Sequence, residues 1–322
     1  MRFALVCGRE KIFRQPHGEA PTECGQAQRE EGVSDIGVIG ASSFLGGHLL
    51  DLARRDGWNP IAFSRNPKAK SSESDWRTFS ASGVFGAGRI PIWIALCPIT
   101  ALPQALPLLE LAGVERLVAV SSTSRFTKKN SRDPRERILA NNLEHAEAAL
   151  KKWATQKGVS LFVLRTTLTY DGAGDANIAA MARFIRKFQC LPVLFPADGL
   201  RQPLHAQDLA QACLSAVRQE KSQSDYDLSG GETLTYLEMA GRVFDSVGIE
   251  RRFINIPRSL LRLLELAGYL LPVRLQPPTG IFERMNADLV FDHGPASIDL
   301  NFSPRSFEPQ CGFERVKSDL ER

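Results

Sequence analysis

Apolar residues fall along the chain in short continuous runs, separated by stretches where they recur every three or four places. A short apolar run bounded by turn residues marks a strand buried on both faces, and a 3.6-residue period marks an amphipathic helix. The pattern predicts strands over 36–40 (IGVIG), 60–64 (PIAFS), 92–96 (IWIAL), 116–121 (RLVAVS) and 161–165 (LFVLR). Helical patterns over 46–55, 102–112 and 136–156 lie between them, the second with a late first turn because Pro103 and Pro107 sit near its front. Such alternation is the mark of a parallel sheet flanked by helices.

After Arg165 the pattern changes. A Gly/Asp-rich turn, Tyr170 to Asp175, precedes one helical face of Ile178, Met181, Ile185 and Phe188. A helix over 207–218 follows, striped by Leu209, Cys213, Ala216 and Val217, and then YDLSGGE (226–232) reads as a strand and turn. Thr235 with Glu238 three places later forms a capping box for a helix that stops near Gly248. Residues 249–322 hold a leucine-rich helix and a proline-rich tail. In that helix Leu260, Leu263, Leu264 and Leu271 fit one buried stripe better than a membrane-surface face, and with Arg262 and Glu265 it is far too short and charged to span a bilayer. Residues 1–34 show no periodicity and read as a disordered extension, with a valine codon at Val33 as an alternative natural start.

Composition adds exclusions. The 322 residues are 43% hydrophobic and 24% charged, ordinary for a soluble globular chain. Forty basic against 36 acidic residues leave +4, too small an excess at this length to imply a nucleic-acid partner. Six cysteines are scattered with no C-x-x-C pair, so neither a metal site nor a redox dithiol is expected, and free thiols fit a reducing cytoplasmic location.

The segment IGVIGASSFLGGHLL (36–50) passes from a buried strand through a small-residue turn into an amphipathic helix. That arrangement aims helix N-terminal amides at one point, the usual seat of a diphosphate. Gly40 permits the turn and Gly46 the close packing of helix on strand. The dinucleotide site then takes Gly40, Ser42, Ser43, Phe44, Leu45 and Gly46, with Leu96, Ser121 and Thr166 from the ends of later strands. At the end of the second strand, where an acid would bond a ribose 2′-hydroxyl, stand Ser64 and Arg65. A guanidinium pairs with a 2′-phosphate, so NADP(H) is expected over NAD(H).

With VAVSSTS (118–124), LRTTLTYDGAGD (164–175) and RQPLHAQDLAQA (201–212) in the same order, the chain resembles the extended or atypical branch of the short-chain dehydrogenase/reductase superfamily, the NAD-dependent epimerase/dehydratase family. Its G-x-x-G-x-x-G loop appears here as Gly40, Ser43, Gly46. The resemblance implies an α/β, Rossmann-type doubly wound parallel sheet with a smaller C-terminal substrate lobe. The dinucleotide-binding domain would span 35–175 with 203–232 returning to it, and the lobe 176–202 and 233–322.

By the same resemblance Thr123, with Ser122 beside it, orients the substrate oxygen. The family's Y-x-x-x-K pair is missing, since the first tyrosine of the chain is Tyr170. Replacement acids are sought among Lys128, Lys129, Glu136, Arg137 and His145, with Thr123, Lys128 and Glu136 taken as the catalytic set. Tyr170, Arg183, Arg201 and His205 would contact substrate, with Arg186, Lys187 and Gln202 flanking them. Two functions follow from the resemblance. One is an oxidoreductase or epimerase/dehydratase acting on a small-molecule hydroxyl or carbonyl substrate, a sugar nucleotide being one class. The other is a non-catalytic NADP(H)-binding scaffold or sensor like the atypical members associated with respiratory complex I. A homodimer is compatible with either.

Overall fold

The computed structural model describes residues 34–65, 75–78, 88–220, 223–261 and 280–311. The N-terminal extension, the greater part of the leucine-rich stretch and the last residues of the tail therefore lie outside the described residues.

In chain order the first elements are β1 (Asp35–Ile39), α1 (Phe44–Arg55), β2 (Asn59–Ser64), β3 (Asp75–Thr78) and β4 (Ile92–Ala95). A 3₁₀ helix (Ile99–Ala105), α2 (Leu106–Leu111), β5 (Arg116–Ser122), α3 (Ser124–Thr127), α4 (Pro134–Lys157) and β6 (Ser160–Thr166) follow. Beyond these come β7 (Thr169–Tyr170), α5 (Ile178–Phe188), β8 (Leu191–Val193), β9 (Leu200–Arg201), β10 (Leu204–His205) and α6 (Ala206–Val217). The remaining elements are β11 (Gln223–Leu228), β12 (Leu234–Thr235), α7 (Tyr236–Ser246), β13 (Phe253–Asn255), α8 (Gly280–Arg284) and α9 (Gly294–Leu300).

Seven strands form one sheet in the order β11-β6-β5-β4-β1-β2-β3. Every pairing in it is parallel, so each strand-to-strand connection must cross over a face. Alternation along the strands divides the core in two. Val38, Ile94, Val118, Phe162 and Leu164 meet α1, α6 and α9 on one face. Ile39, Trp93, Leu117, Leu161 and Val163 meet the 3₁₀ helix, α2 and α4 on the other. Strands covered on both faces read as continuous apolar runs, which is why β1, β2, β4, β5 and β6 were legible.

Two elements depart from the pattern. The sheet's edge strand β3 was not expected, because DWRT is half exposed and too short to show a period. The helix expected over 102–112 is split: the chain runs as 3₁₀ through Pro103, and α2 starts only at Leu106, with Pro107 in its first turn. A proline lacks the amide that an α-helix interior needs, whereas a first turn has no use for it. The predicted capping box is present, with Thr235 Oγ1 accepting from the Glu238 amide and the Glu238 carboxylate accepting from the Thr235 amide.

A third cluster joins Ile178, Ile185, Leu191, Met239, Phe244, Met285 and Phe307, drawn from α5, β8, α7, α8 and the C-terminal residues. It lies beyond the C-terminal ends of the central strands, where an open parallel sheet carries its ligands.

Candidate active site

The loop after β1 is shaped for close approach. Gly40 has φ +77°, and a Cβ there would stand 2.7 Å from the Cys97 amide nitrogen. At Gly46 a Cβ would fall 1.9 Å from the Ala41 carbonyl oxygen, so α1 packs on the loop only with glycine at this place. Ser43 is the N-cap of α1, yet its side chain makes no cap hydrogen bond and its buried Oγ has no partner among the described residues. The Phe44 and Leu45 amides of the first turn have no intrahelical acceptor, and that turn carries no acid. An unpartnered hydroxyl and free amides at an acid-free helix start fit a diphosphate, so the residues present suit a dinucleotide. Ser64 Oγ donates to Ser42 Oγ at 3.0 Å, tying the loop to β2, and Arg65 is exposed just past that strand.

From this loop a cavity of about 700 Å3 runs into the third cluster. Phe44 and Leu45 of α1 line it at one end, with Ser122, Thr123 and Thr166 from the ends of β5 and β6. Its remaining wall is mostly apolar: Leu168, Ile178, Met181, Phe184, Leu191, Met239, Phe282, Met285 and Leu289. The face of α5 was legible as a period. Nothing in a sequence period separates cavity wall from closed core, so Phe282, Met285 and Leu289 carried no signal.

Of the residues expected to act, the structure brings Thr123 and Lys128 to the cavity, whereas Glu136 stands behind Lys128. Thr123 Oγ1 donates to the Thr166 carbonyl at 3.1 Å. Ser122 Oγ accepts from the Ser124 amide at 3.1 Å, which leaves its hydroxyl proton free of any assigned acceptor among the described residues. Lys128 Nζ lies 3.8 Å from Glu136 Oε1; Glu136 also accepts from Ser131 Oγ at 2.7 Å and pairs with Arg284, itself in the cavity wall. Burial, and then the Arg284 guanidinium, hold the Lys128 ammonium below the usual lysine range, although Glu136 opposes them. Lys129, Arg137 and His145 lie outside: Lys129 pairs with Glu144, Arg137 donates to the Ser131 and Arg132 carbonyls, and His145 is exposed.

The expected substrate contacts separate. Arg201 and Gln202 reach the cavity. Arg201 is buried, donates to the Leu200 and Ala287 carbonyls at 2.7 Å each, and lies 5.6 Å over the Tyr236 ring, while burial pushes its pKa down to about 10. Tyr170 is instead packed between His205 and Phe307, its hydroxyl accepting from the Glu308 amide at 3.3 Å. Burial pushes that phenol up to about 12, so it is a poor proton donor. His205 caps α6, Nδ1 accepting from the Gln207 amide, and Arg183 is exposed on α5; neither reaches the cavity wall. Arg186 donates to the Cys311 carbonyl and Lys187 faces solvent.

A buried network behind the site went unread. Glu147, on the inner face of α4, accepts from Ser121 Oγ at 2.6 Å and from Arg165 Nε and Nη2 at 2.9 and 2.8 Å, and it pairs with Arg125. An acid at the helical spacing of Ala140, Leu143, Leu150 and Ala154 was the available signal. Leu96 and Ser121 are buried at the ends of β4 and β5, and Thr166 closes β6. Among the described residues no cluster of His, Cys, Asp or Glu could hold a metal, and no helix is long and apolar enough to cross a membrane.

No family model matches the chain. Ceramide reductase of Caulobacter vibrioides is 22% identical over 244 residues, which cover 69% of this chain and 73% of that protein. Among solved structures, the UDP-glucose 4-epimerase of Thermotoga maritima with UDP-glucose superposes with a TM-score of 0.65 at 15% identity, covering 89% of this chain and 99% of that one. The UDP-N-acetylglucosamine 4-epimerase of Bacillus cereus gives 0.62 at 16%, covering 90% and 100%. The UDP-glucuronic acid 4-epimerase of the same organism, in complex with NAD, gives 0.64 at 13%, covering 88% and 99%. With its strand order, its glycine loop and a third apolar cluster beside the two that flank the sheet, this chain has the Rossmann-type fold of the NAD-dependent sugar-nucleotide epimerases.

Proposed function

We propose that the chain is an NADP(H)-preferring oxidoreductase that reduces a carbonyl carried on a largely apolar substrate. The observation that carries this reading is the cavity, which joins the dinucleotide loop to a wall of aliphatic, aromatic and methionine side chains. Burying an aliphatic chain along the apolar part of that wall is worth about 0.8 kcal/mol per methylene, a gain that a sugar nucleotide, which would use the wall's Asn177, Arg201, Gln202 and Arg284 instead, does not make. The ceramide reductase relative points the same way, through its name and its coverage of both chains.

The bound dinucleotide would supply the hydride. The Ser122 hydroxyl donates to the carbonyl oxygen and holds it at the end of β5. Thr123, committed to the Thr166 carbonyl, fixes the turn that presents Ser122. Lys128 delivers the proton to that oxygen, and Glu136, braced by Ser131 and Arg284, positions the lysine. Arg65 receives the 2′-phosphate.

NADPH oxidation should be followed with a long-chain ketone and, separately, with UDP-glucose. Turnover of the ketone alone is expected. Interconversion of the UDP-sugar would overturn the substrate class. Tight NADPH binding with no turnover of any carbonyl would favour the scaffold reading, which the lack of any α4 residue in the cavity wall supports.

A further inference from the structure

Phe188, Ile254 and Ile281 are large apolar residues left 51%, 46% and 46% exposed. Each adjoins the cavity. The Phe188 ring lies 4.5 Å from that of Phe184, a wall residue. Ile254 is the register partner of Pro192, also in the wall, so the two side chains share a face of the β8/β13 pair. Ile281 is itself in the wall. Single exposed apolar residues need no explanation. Three from separate elements each adjoin one apolar cavity, and it is continuity of this kind that marks an interaction site.

Basic side chains border the set. Arg183 and Lys187 stand one turn apart on α5, on the flank next to Phe184 and Phe188, and Lys187 Nζ is 5.2 Å from the Phe188 ring centre. Arg252 and Arg258 bracket β13 and are exposed. Of the six basic residues in 183–195 and 250–260, Arg251 pairs with Asp245 and Arg186 donates to the Cys311 carbonyl, which leaves four; the nearby acids are Glu250 and, two places from Ile281, Glu283, which pairs with Arg132. Among the described residues no ion pair neutralises Arg183, Lys187, Arg252 or Arg258.

We propose that this rim docks the protein on an anionic membrane surface. Phe188 and Ile254 enter the headgroup boundary, the surrounding cations meet lipid phosphates, and the cavity mouth is turned toward the bilayer. Amphipathic surfaces bind in this way, by apolar burial together with attraction to anionic lipid. The purpose of the docking rests on the apolar-substrate reading, but the binding itself does not.

The full chain should be sedimented with vesicles of phosphatidylcholine alone and of phosphatidylcholine with phosphatidylglycerol. Binding to the anionic vesicles is expected, weakened by salt. Lys187→Ala with Arg252→Ala should weaken it by about thirtyfold, since each cation near the surface contributes about fivefold. Phe188→Glu with Ile254→Glu should abolish it, while both double variants keep the wild-type melting curve and NADPH affinity. Absent binding, or equal binding by wild type and variants, overturns the proposal. So does a dimer that Phe188→Glu with Ile254→Glu converts to monomer while vesicles go unbound, because a second copy then covers the face. Turnover of a detergent-dispersed ketone separates the two readings: its loss with docking intact counts against the reductase, and its survival without docking counts against the membrane surface.

Discussion

Replacing Glu147 with alanine removes the acceptor common to Ser121, Arg125 and Arg165. Its side chain is 1% exposed and that of Arg165 is 8% exposed, so the guanidinium left behind cannot turn to water. Breaking a buried pair from one side costs about 3–5 kcal/mol. Arg165 keeps Asp225 and Asp227, at 2.5 and 3.4 Å, and Arg125 keeps Glu144 at 3.4 Å, which places the loss near the lower end, about 3 kcal/mol. At roughly 1.5–2 °C per kcal/mol for a chain of this size, the melting temperature should fall by about 4–6 °C. Urea unfolding at unchanged slope gives the free energy directly. Asp225→Ala, on a partner 28% exposed, should cost no more than about 1 kcal/mol. Glu147→Met combined with Arg165→Met should be less damaging than either change alone, since neither deeply buried charge is left without the other, Arg125 and Asp225 keep Glu144 and Lys151, and Asp227 is 29% exposed. A loss below 1 kcal/mol for Glu147→Ala, or one equal to that of Asp225→Ala, would refute the claim that this carboxylate ties the ends of β5 and β6 together.

Other perturbations bear on the loop, the proton and the cap. Gly46→Ala should abolish dinucleotide binding, measured by fluorescence titration, because its Cβ would overlap the Ala41 carbonyl and force α1 off the loop. Arg65→Asp should weaken NADPH binding at least tenfold while sparing NADH, as loss of a charge-assisted phosphate contact requires; equal loss for both would remove Arg65 from this role. Lys128→Met should cut reductive turnover by about 10²-fold. In the wild type, kcat/KM should fall as pH rises through a lysine pKa lying below the usual value, with that limb missing in the variant. Burial, and next Arg305, hold His205 below the ordinary imidazole value, and its Nδ1 must stay unprotonated to accept from Gln207. Its contribution to stability is therefore complete above about pH 6.5 and lost as pH falls through the lowered folded value. His205→Asn, which retains a cap, should flatten that part of the urea-midpoint profile.

The doubly wound sheet was written in the order of the residues because its central strands are buried on both faces and its helices on one. Both conditions leave a period in a linear chain, as at Val38 and Ile39 or at Leu209 and Cys213. The glycine loop was legible for a local reason, since a left-handed φ at Gly40 and contact at Gly46 involve residues near in sequence or on the neighbouring strand. Edge strand β3 was not legible, being too short and too polar to repeat anything. Roles at the site depended on distance in space. Sequence order placed Tyr170 and His205 beside the substrate, but packing against Phe307 and capping of α6 take them away from the cavity. Conversely, Arg284 and Met285 lie more than 150 positions from Thr123 in the chain, yet share its cavity. Glu147 reads as one acid on a polar helix until β6 brings Arg165 against it. Periodicity records which face of an element is covered. Which side chains converge on one space is set by how the covered faces stack, and no single element carries that information.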